Sequence, residues 1–301
     1  MTFCAFCGEY GSIRLKYARL WVCKKHFVEY IQRKVRKTCE KYELLPEKGK
    51  LGVAISGGKD SLACLHLLNT LFKHKLLAIH INLGINSYSG MCSQICTNFC
   101  KEMGIDLVTL ELKKEYGFSA KDLKRIDRKV CSLCGVVKRY LINKVAHENG
   151  CKYIATGHNA DDEASLIMMN FLSGNIEQMA RLGPKTQSVE ELRLVGRIKP
   201  LYRNLEFENK LYCDISGIQY VKMLCPVASI SEQKQYQMKD LLNTLEKRMP
   251  EIKLRIITNF LKKIKPVLKQ PKMEVKTCKL CGYPTITDVC KFCRIVDKLK
   301  P

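Results

Sequence analysis

From residue 51 onward the chain alternates short apolar runs with segments that keep apolar side chains at helical spacing. Leu51-Gly52-Val53-Ala54-Ile55 is a continuous apolar run of the kind that a strand buried on both faces requires. Leu62, Leu65, Leu67 and Leu68 then hold one helical face. Lys75–Leu83, Ile105–Leu112 and Tyr153–Thr156 read as further strands, with helical stretches between them. Residues 181–203 are basic, broken by Gly183-Pro184 and Lys199-Pro200, and read as connections with a return strand near Leu192–Ile198. Tyr220–Leu224 leads into Cys225 as the end of a return strand. Strands that alternate with helices predict an α/β fold with a parallel sheet.

Outside that core the pattern changes. Ser12–Val22 alternates enough for a short hairpin. From Lys24 to about Leu45 a basic amphipathic helix is expected, with Phe27, Ile31, Val35 and Tyr42 on its apolar side and Arg33, Lys34, Arg36 and Lys37 facing outward as a solvated surface. Glu232–Arg248 and Glu251–Lys265 read as two more amphipathic helices, the second lysine-rich and suited to phosphates or solvent. The expected organisation is a knuckle at 1–30, a basic helix and linker at 31–50, a central domain at 51–230, a helical segment at 231–271 and, after Pro271, a tail at 272–301.

Charge narrows the partners. Lysine and arginine number 52 against 29 acidic residues, a formal net charge of +23. That excess favours a polyanion, a nucleic acid or an acidic membrane surface. No apolar stretch reaches the roughly 18 residues of a membrane span and the N-terminus lacks a leader pattern, so a soluble, cytoplasmic protein with no membrane role is expected. Seventeen cysteines in such a chain point to metal ligands rather than a disulfide framework.

Two groups of them have metal spacing. Cys4-x-x-Cys7 and Cys23-x-x-His26 make a Cys3His set, and Cys278-x-x-Cys281 with Cys290-x-x-Cys293 a Cys4 set; both suit structural Zn2+, all four ligands coming from protein. Cys92, Cys96 and Cys100 fall on one helical face, which suits a metal but suits a row of small core side chains better. Cys131-Ser-Leu-Cys134 has no second pair nearby, leaving a redox dithiol or two ligands of an iron–sulfur cluster.

Ser56-Gly57-Gly58-Lys59-Asp60-Ser61 lies between the first strand and its helix. Glycines let backbone N–H groups turn inward, the helix start adds partial positive charge, Ser56 and Ser61 offer hydroxyls and Lys59 a cation. The spacing differs from G-x-x-x-x-G-K-[ST]. A second loop, Gly157-His-Asn-Ala-Asp161-Asp162-Glu163-Ala164, carries acids that are helix-capping residues by default, or that handle magnesium or a proton beside a nucleotide. Ile81, at a strand end, suits packing against an adenine.

The first of these loops resembles the PP-loop of ATP pyrophosphatases. The order of features, Cys3His knuckle, SGGKDS, CSLC, GHNADDEA, the lone Cys225 and the Cys4 ribbon, resembles the TtuA family of tRNA-uridine 2-thiolation enzymes over the whole length. The resemblance implies a parallel-sheet ATP pyrophosphatase domain flanked by two zinc modules. It implies a [4Fe–4S] cluster on Cys131, Cys134 and Cys225, with one iron open to bind hydrosulfide. ATP with Mg2+ would bind around Ala54, Ser56, Gly57, Gly58, Lys59, Asp60, Ser61, Ile81 and Gly157 and adenylate a uracil O2, after which sulfur displaces AMP. Lys59, Lys138 and Asp161 would serve the chemistry: Lys138 by stabilising charge on the transferring phosphate, Asp161 by acting on a proton or positioning magnesium. The partners implied are tRNA, with its wobble or T-loop uridine as target, and a sulfur donor, either a ubiquitin-like thiocarboxylate carrier or sulfide; a homodimer is expected. Three other readings stay open: a cysteine persulfide relay on the same ATP chemistry, tRNA lysidine synthesis, and a non-catalytic zinc-dependent RNA-binding protein.

Overall fold

The structure is a computed structural model that describes residues 2–127, 130–228, 234–269 and 275–299. A hairpin, β1 (Ile13–Leu15) and β2 (Leu20–Val22), precedes helix α1 (Lys24–Lys41). The central unit follows as β3 (Lys50–Ile55), α2 (Lys59–Leu71), β4 (Lys75–Asn82), α3 (Asn86–Met103), β5 (Asp106–Glu111), α4 (Leu112–Tyr116), α5 (Val130–Glu148), β6 (Cys151–Ala155), α6 (Ala160–Leu172), α7 (Ile176–Ala180), β7 (Gly196–Ile198) and α8 (Glu206–Ile215). Helices α9 (Lys234–Arg248) and α10 (Ile252–Asn259) lead to a small ribbon, β8 (Lys276–Thr277) and β9 (Pro284–Thr285), closed by α11 (Lys291–Leu299).

Five strands form one sheet in the order β5-β4-β3-β6-β7, every neighbouring pair parallel. Both faces are buried, and β4 shows how the sequence achieves this. Leu76 and Ala78 join the layer of α1, α2, α3 and α8, whereas Leu77, Ile79 and Ile81 join the layer of α5 and α11. Successive side chains of a strand point to opposite faces, so a continuous apolar run serves two cores at once. A third cluster packs Leu242 of α9 and Leu254, Ile257 and Phe260 of α10 and the turn after it against Ala160, Ala164 and Ile167 of α6.

The strand order places the functional loops. From β3 the chain winds outward through β4 and β5, then returns to the other side of β3 as β6 and β7. Winding reverses between β3 and β6, and a ligand crevice opens at the carboxyl ends of strands at such a point. The loops that leave those two strands are 56–58 and 156–159.

Four expectations are corrected. Helix α1 ends at Lys41, not near Leu45, because Glu43 turns left-handed at φ 48° and the Leu44 N–H donates back to the Cys39 carbonyl at 2.9 Å. Lys34 is no outward charge: its side chain is half-buried and paired with the buried Glu208 of α8 at 2.7 Å. Residues 220–224 form no strand; Val221 instead donates its N–H to the Gly57 carbonyl at 2.9 Å, tying the segment to the loop rather than to the sheet. The second lysine-rich helix keeps its expected extent, as α10 continued by a π turn over Phe260–Ile264 and a 3-10 turn over Lys265–Val267, but its Lys253 is buried rather than offered to phosphates or solvent. The expected helix start at Glu232 and tail start after Pro271, with the divisions at 230/231 and 271/272, lie outside the described residues.

Candidate active site

Loop 56–58 turns because Gly57 sits at φ 78°, where a side chain is strained. Ser61 closes the turn: its Oγ accepts the Ser56 N–H at 3.1 Å and donates to the Gly58 carbonyl at 2.9 Å. The first N–H groups of α2 are thereby aimed at the crevice, together with the exposed Ser56. Opposite, Gly157 leaves no room for any other residue. A Cβ there would stand 2.7 Å from the backbone of Asp60 and Ser61. Only glycine allows the β6–α6 loop to lie against the start of α2.

Asp60 joins the two loops. Its Oδ1 accepts from Asn159 at 3.0 Å and Asn209 at 2.9 Å, and its Oδ2 pairs with Lys59 at 3.0 Å. Burial pushes the Asp60 carboxyl above its ordinary range despite these partners. Lys59 also reaches Glu206 of α8 at 2.8 Å. Burial works against the Lys59 charge, but the two carboxylates outweigh it and hold the ammonium above the usual lysine range. Burial likewise opposes charge on Glu206, yet Lys239 and Lys59 hold its carboxyl below the ordinary range.

The three acids of the second loop each take a lysine from a different later element. Asp161 pairs with Lys253 of α10 and accepts the Glu206 N–H at 2.8 Å. Asp162 pairs with Lys239 of α9 at 2.6 Å and also accepts the Asn159 N–H at 3.1 Å in a capping box. Glu163 pairs with Lys199 at 2.7 Å, and its Oε2 has no partner among the described residues. Asp161, expected to handle a proton or magnesium, is thus buried in an ion pair that locks α6 to α8 and α10.

Ala54 is half-buried beneath the loop and Ile81 is buried at the end of β4, both packed in the cluster that holds Cys134. Cys134 is buried and Cys131 exposed at the start of α5, and Cys225 is half-buried against the same cluster. Burial pushes the Cys134 thiol up to about 11; Lys138, one turn further on, pulls it down, and the neighbouring Cys225 and Cys131 push it up again. Among the described residues these three sulfurs are not drawn within 4.8 Å of one another as the two outer sets are; a set of three cysteines has the donor chemistry of an iron–sulfur cluster. Lys138 lies exposed beside these cysteines. Cys92, Cys96 and Cys100 are a buried row, as their helical spacing led us to expect.

The knuckle and ribbon converge as their spacing implied. The ligand atoms of Cys4, Cys7, Cys23 and His26 lie within 4.8 Å of one another, as do those of Cys278, Cys281, Cys290 and Cys293, a fit to one metal ion each. Burial opposes ionisation of Cys4 and Cys278, but surrounding backbone N–H groups, those of Cys23 and Cys290 foremost, outweigh it and lower both thiols to about 6. The ribbon leans on α5, where Phe292 stacks on Tyr140 with ring centroids 3.9 Å apart.

Asn159, Asn209, Glu206 and Lys239 were not singled out from sequence. Asn159 carries a local signal, an Asn-x-x-Asp box at a helix start; the other three carry none.

A PP-loop domain family model matches residues 27–223. The tRNA-5-methyluridine(54) 2-sulfurtransferase of Thermus thermophilus is 37% identical over 98% of this chain and 91% of its own length. The cytoplasmic tRNA 2-thiolation protein 1 of Anopheles gambiae is 27% identical over 97% of this chain and 87% of its own. Among solved structures, the U34-tRNA thiolase NcsA of Methanococcus maripaludis with its [4Fe-4S] cluster superimposes with a TM-score of 0.82 at 32% identity, covering 100% of this chain and 97% of that one.

Proposed function

The chain belongs to the PP-loop family of tRNA-uridine 2-thiolation enzymes, and from that premise we propose that it is the ATP-dependent sulfurtransferase that converts 5-methyluridine 54 of tRNA to its 2-thio form in the cytoplasm. One observation carries the reading. The segment that leads to Cys225 is bonded through Val221 to Gly57 of the phosphate loop, which supports a crevice shared by the cysteines and the nucleotide site.

ATP enters as its magnesium complex. Its phosphates meet the N–H groups of Gly58 and Lys59, the hydroxyl of Ser56 and the Lys59 ammonium, while Ser61, expected to add a second hydroxyl, instead holds the turn. Transfer of AMP to the uracil O2 makes that oxygen a leaving group, and charge developing on the phosphate is stabilised by the loop and by Lys138. Cys131, Cys134 and Cys225 would hold a [4Fe–4S] cluster, which when bound would supply the sulfur chemistry. Asp161 contributes by fixing α6 to α10 and α8 through Lys253 and the Glu206 N–H. Asp60, with Asn159 and Asn209, holds Lys59 at the mouth of the loop.

The RNA meets a cationic surface. A groove of about 550 Å³ between the hairpin and the end of α9 is lined by Arg14, Lys16, Arg19, Trp21, Lys247 and Arg248. Arg33, Lys37, Lys41 and Arg203 line a second groove along α1. Such surfaces take phosphate backbones, and the Arg14 guanidinium lies over the Trp21 ring at 5.6 Å in the first of them.

Each outer module holds one Zn2+. Cys281→Ser is expected to release one of the two ions and to loosen α11 from Tyr140, while ATP binding persists; metal analysis and near-ultraviolet circular dichroism on the variant check this, and unchanged zinc content would contradict it.

Position 54 is favoured because identity is higher to the position-54 enzyme, 37%, than to the U34 thiolase, 32%. The fold match to the latter makes position 34 the second reading. Digestion and mass spectrometry of tRNA incubated anaerobically with cluster-loaded protein, ATP and sulfide separates them. Sulfur on nucleoside 54 is expected; sulfur on nucleoside 34 would favour the second reading, and none on either would refute both.

A further inference from the structure

Lys59 does not wait free for a phosphate; it is bound by a carboxylate that has somewhere else to go. Glu206 opens α8, and its backbone N–H is fixed on Asp161 at 2.8 Å. Its side chain stands at the crevice, 37% exposed, with one oxygen on Lys59 at 2.8 Å and the other on Lys239 at 3.2 Å. Lys239 is itself held by Asp162 at 2.6 Å. The result is a row, Asp60–Lys59–Glu206–Lys239–Asp162, that runs from the phosphate loop to helix α9. Charges alternate along it, so a dianionic or trianionic phosphate arriving at Lys59 competes directly with Glu206. The backbone anchor on Asp161 limits any response to side-chain rotation towards Lys239.

We propose that Glu206 is a positioning residue that competes with nucleotide phosphate for Lys59, and that Lys239 receives its carboxylate when phosphate binds. Such a competitor weakens binding of ATP and of pyrophosphate alike, and so favours release of the second product after adenylation. It also makes the seating of α9 on α6 depend on what the loop holds, since Lys239 then carries two carboxylates alone. The inference rests on the loop binding ATP phosphates.

Binding of ATP and of inorganic pyrophosphate, each measured by calorimetry on the full chain without tRNA or sulfide, tests it. Glu206→Gln is expected to tighten both ligands by about 2- to 5-fold, the range of a partly exposed ion pair. Glu206→Asp, too short to span both lysines, should tighten them in the same direction. Lys239→Met should weaken both ligands in the unaltered chain, because Glu206 is then left to Lys59, and should weaken them distinctly less in the Glu206→Gln background. Unchanged or weaker binding in Glu206→Gln, or equal effects of Lys239→Met in the two backgrounds, would overturn the proposal. Because neither tRNA nor sulfur enters the measurement, those results leave the thiolation reading standing. No binding of ATP to the unaltered protein would refute the two together.

Discussion

Serine in place of Cys225 is expected to abolish sulfur transfer while sparing the nucleotide site. Cys225 belongs to no strand and to no metal-spaced pair; what places it is the Val221 bond to Gly57 and packing in the cluster that contains Cys134. On the proposed ligation, removing its thiol takes one of three protein ligands from the iron group. Loss of an outer partner of a metal ligand costs about 10- to 100-fold in affinity or activity, so loss of a ligand should cost at least as much. Cys131→Ser and Cys134→Ser should do the same. The measurement is paired: visible absorption and iron content after anaerobic reconstitution, and calorimetric ATP binding on the same preparation. Absorption should collapse in all three variants with ATP affinity within about twofold of the parent, since a twofold change is below the ~1.4 kcal/mol of a decade. A Cys225→Ser protein with full iron content and full thiolation would remove the cluster from the site. Full iron loss with thiolation retained would leave the persulfide relay as the working chemistry.

The largest stability effect is expected at Lys253→Met. Lys253 and Asp161 are only 5% and 6% exposed, and the pair ties α10 to the first turn of α6. Removing the ammonium leaves a carboxylate buried with one backbone donor, from Glu206, and a lone buried charge costs about 3–5 kcal/mol. Chemical denaturation should show a fall of that order. Restoring neutrality with Asp161→Asn in the same chain should recover a large part of it, because the penalty lies in the unpaired charge more than in the lost contact. A Lys253→Met protein of parental stability would mean that the fold does not depend on the Lys253–Asp161 pair, and the assignment of Asp161 as a lock would fall. Thiolation by the double variant provides the functional side of the same test: retained activity supports the locking role, whereas total loss with normal stability would return Asp161 to proton or magnesium chemistry.

The parts of this molecule written locally were readable in the sequence. The strands over 51–55, 75–83 and 105–112 could be read because parallel strands buried on both faces are near-continuous apolar runs. The two Cys-rich modules were readable because ligand pairs sit within a turn of each other. What escaped was the pairing of charges over long separations. Lys34 reads as one more cation on a basic helix face, and only the fold brings Glu208 to it from 174 residues away. Lys199, Lys239 and Lys253 look like ordinary surface lysines, yet each seats on one member of Asp161-Asp162-Glu163. The segment 220–224 misled because an apolar run that packs on a loop has the same composition as one that pairs in a sheet. Its hydrogen-bond partner, the Gly57 carbonyl, is set by where the winding of the sheet reverses, and periodicity carries no information on that.

The account stands most directly on one reaction. Purified protein with its iron group reconstituted, given sulfur-free tRNA that carries 5-methyluridine 54, ATP, magnesium and sulfide without oxygen, should form 5-methyl-2-thiouridine and AMP in equal amounts, as an adenylated O2 displaced by sulfur requires. Formation of AMP without any thionucleoside, from protein with a full complement of iron, would contradict it.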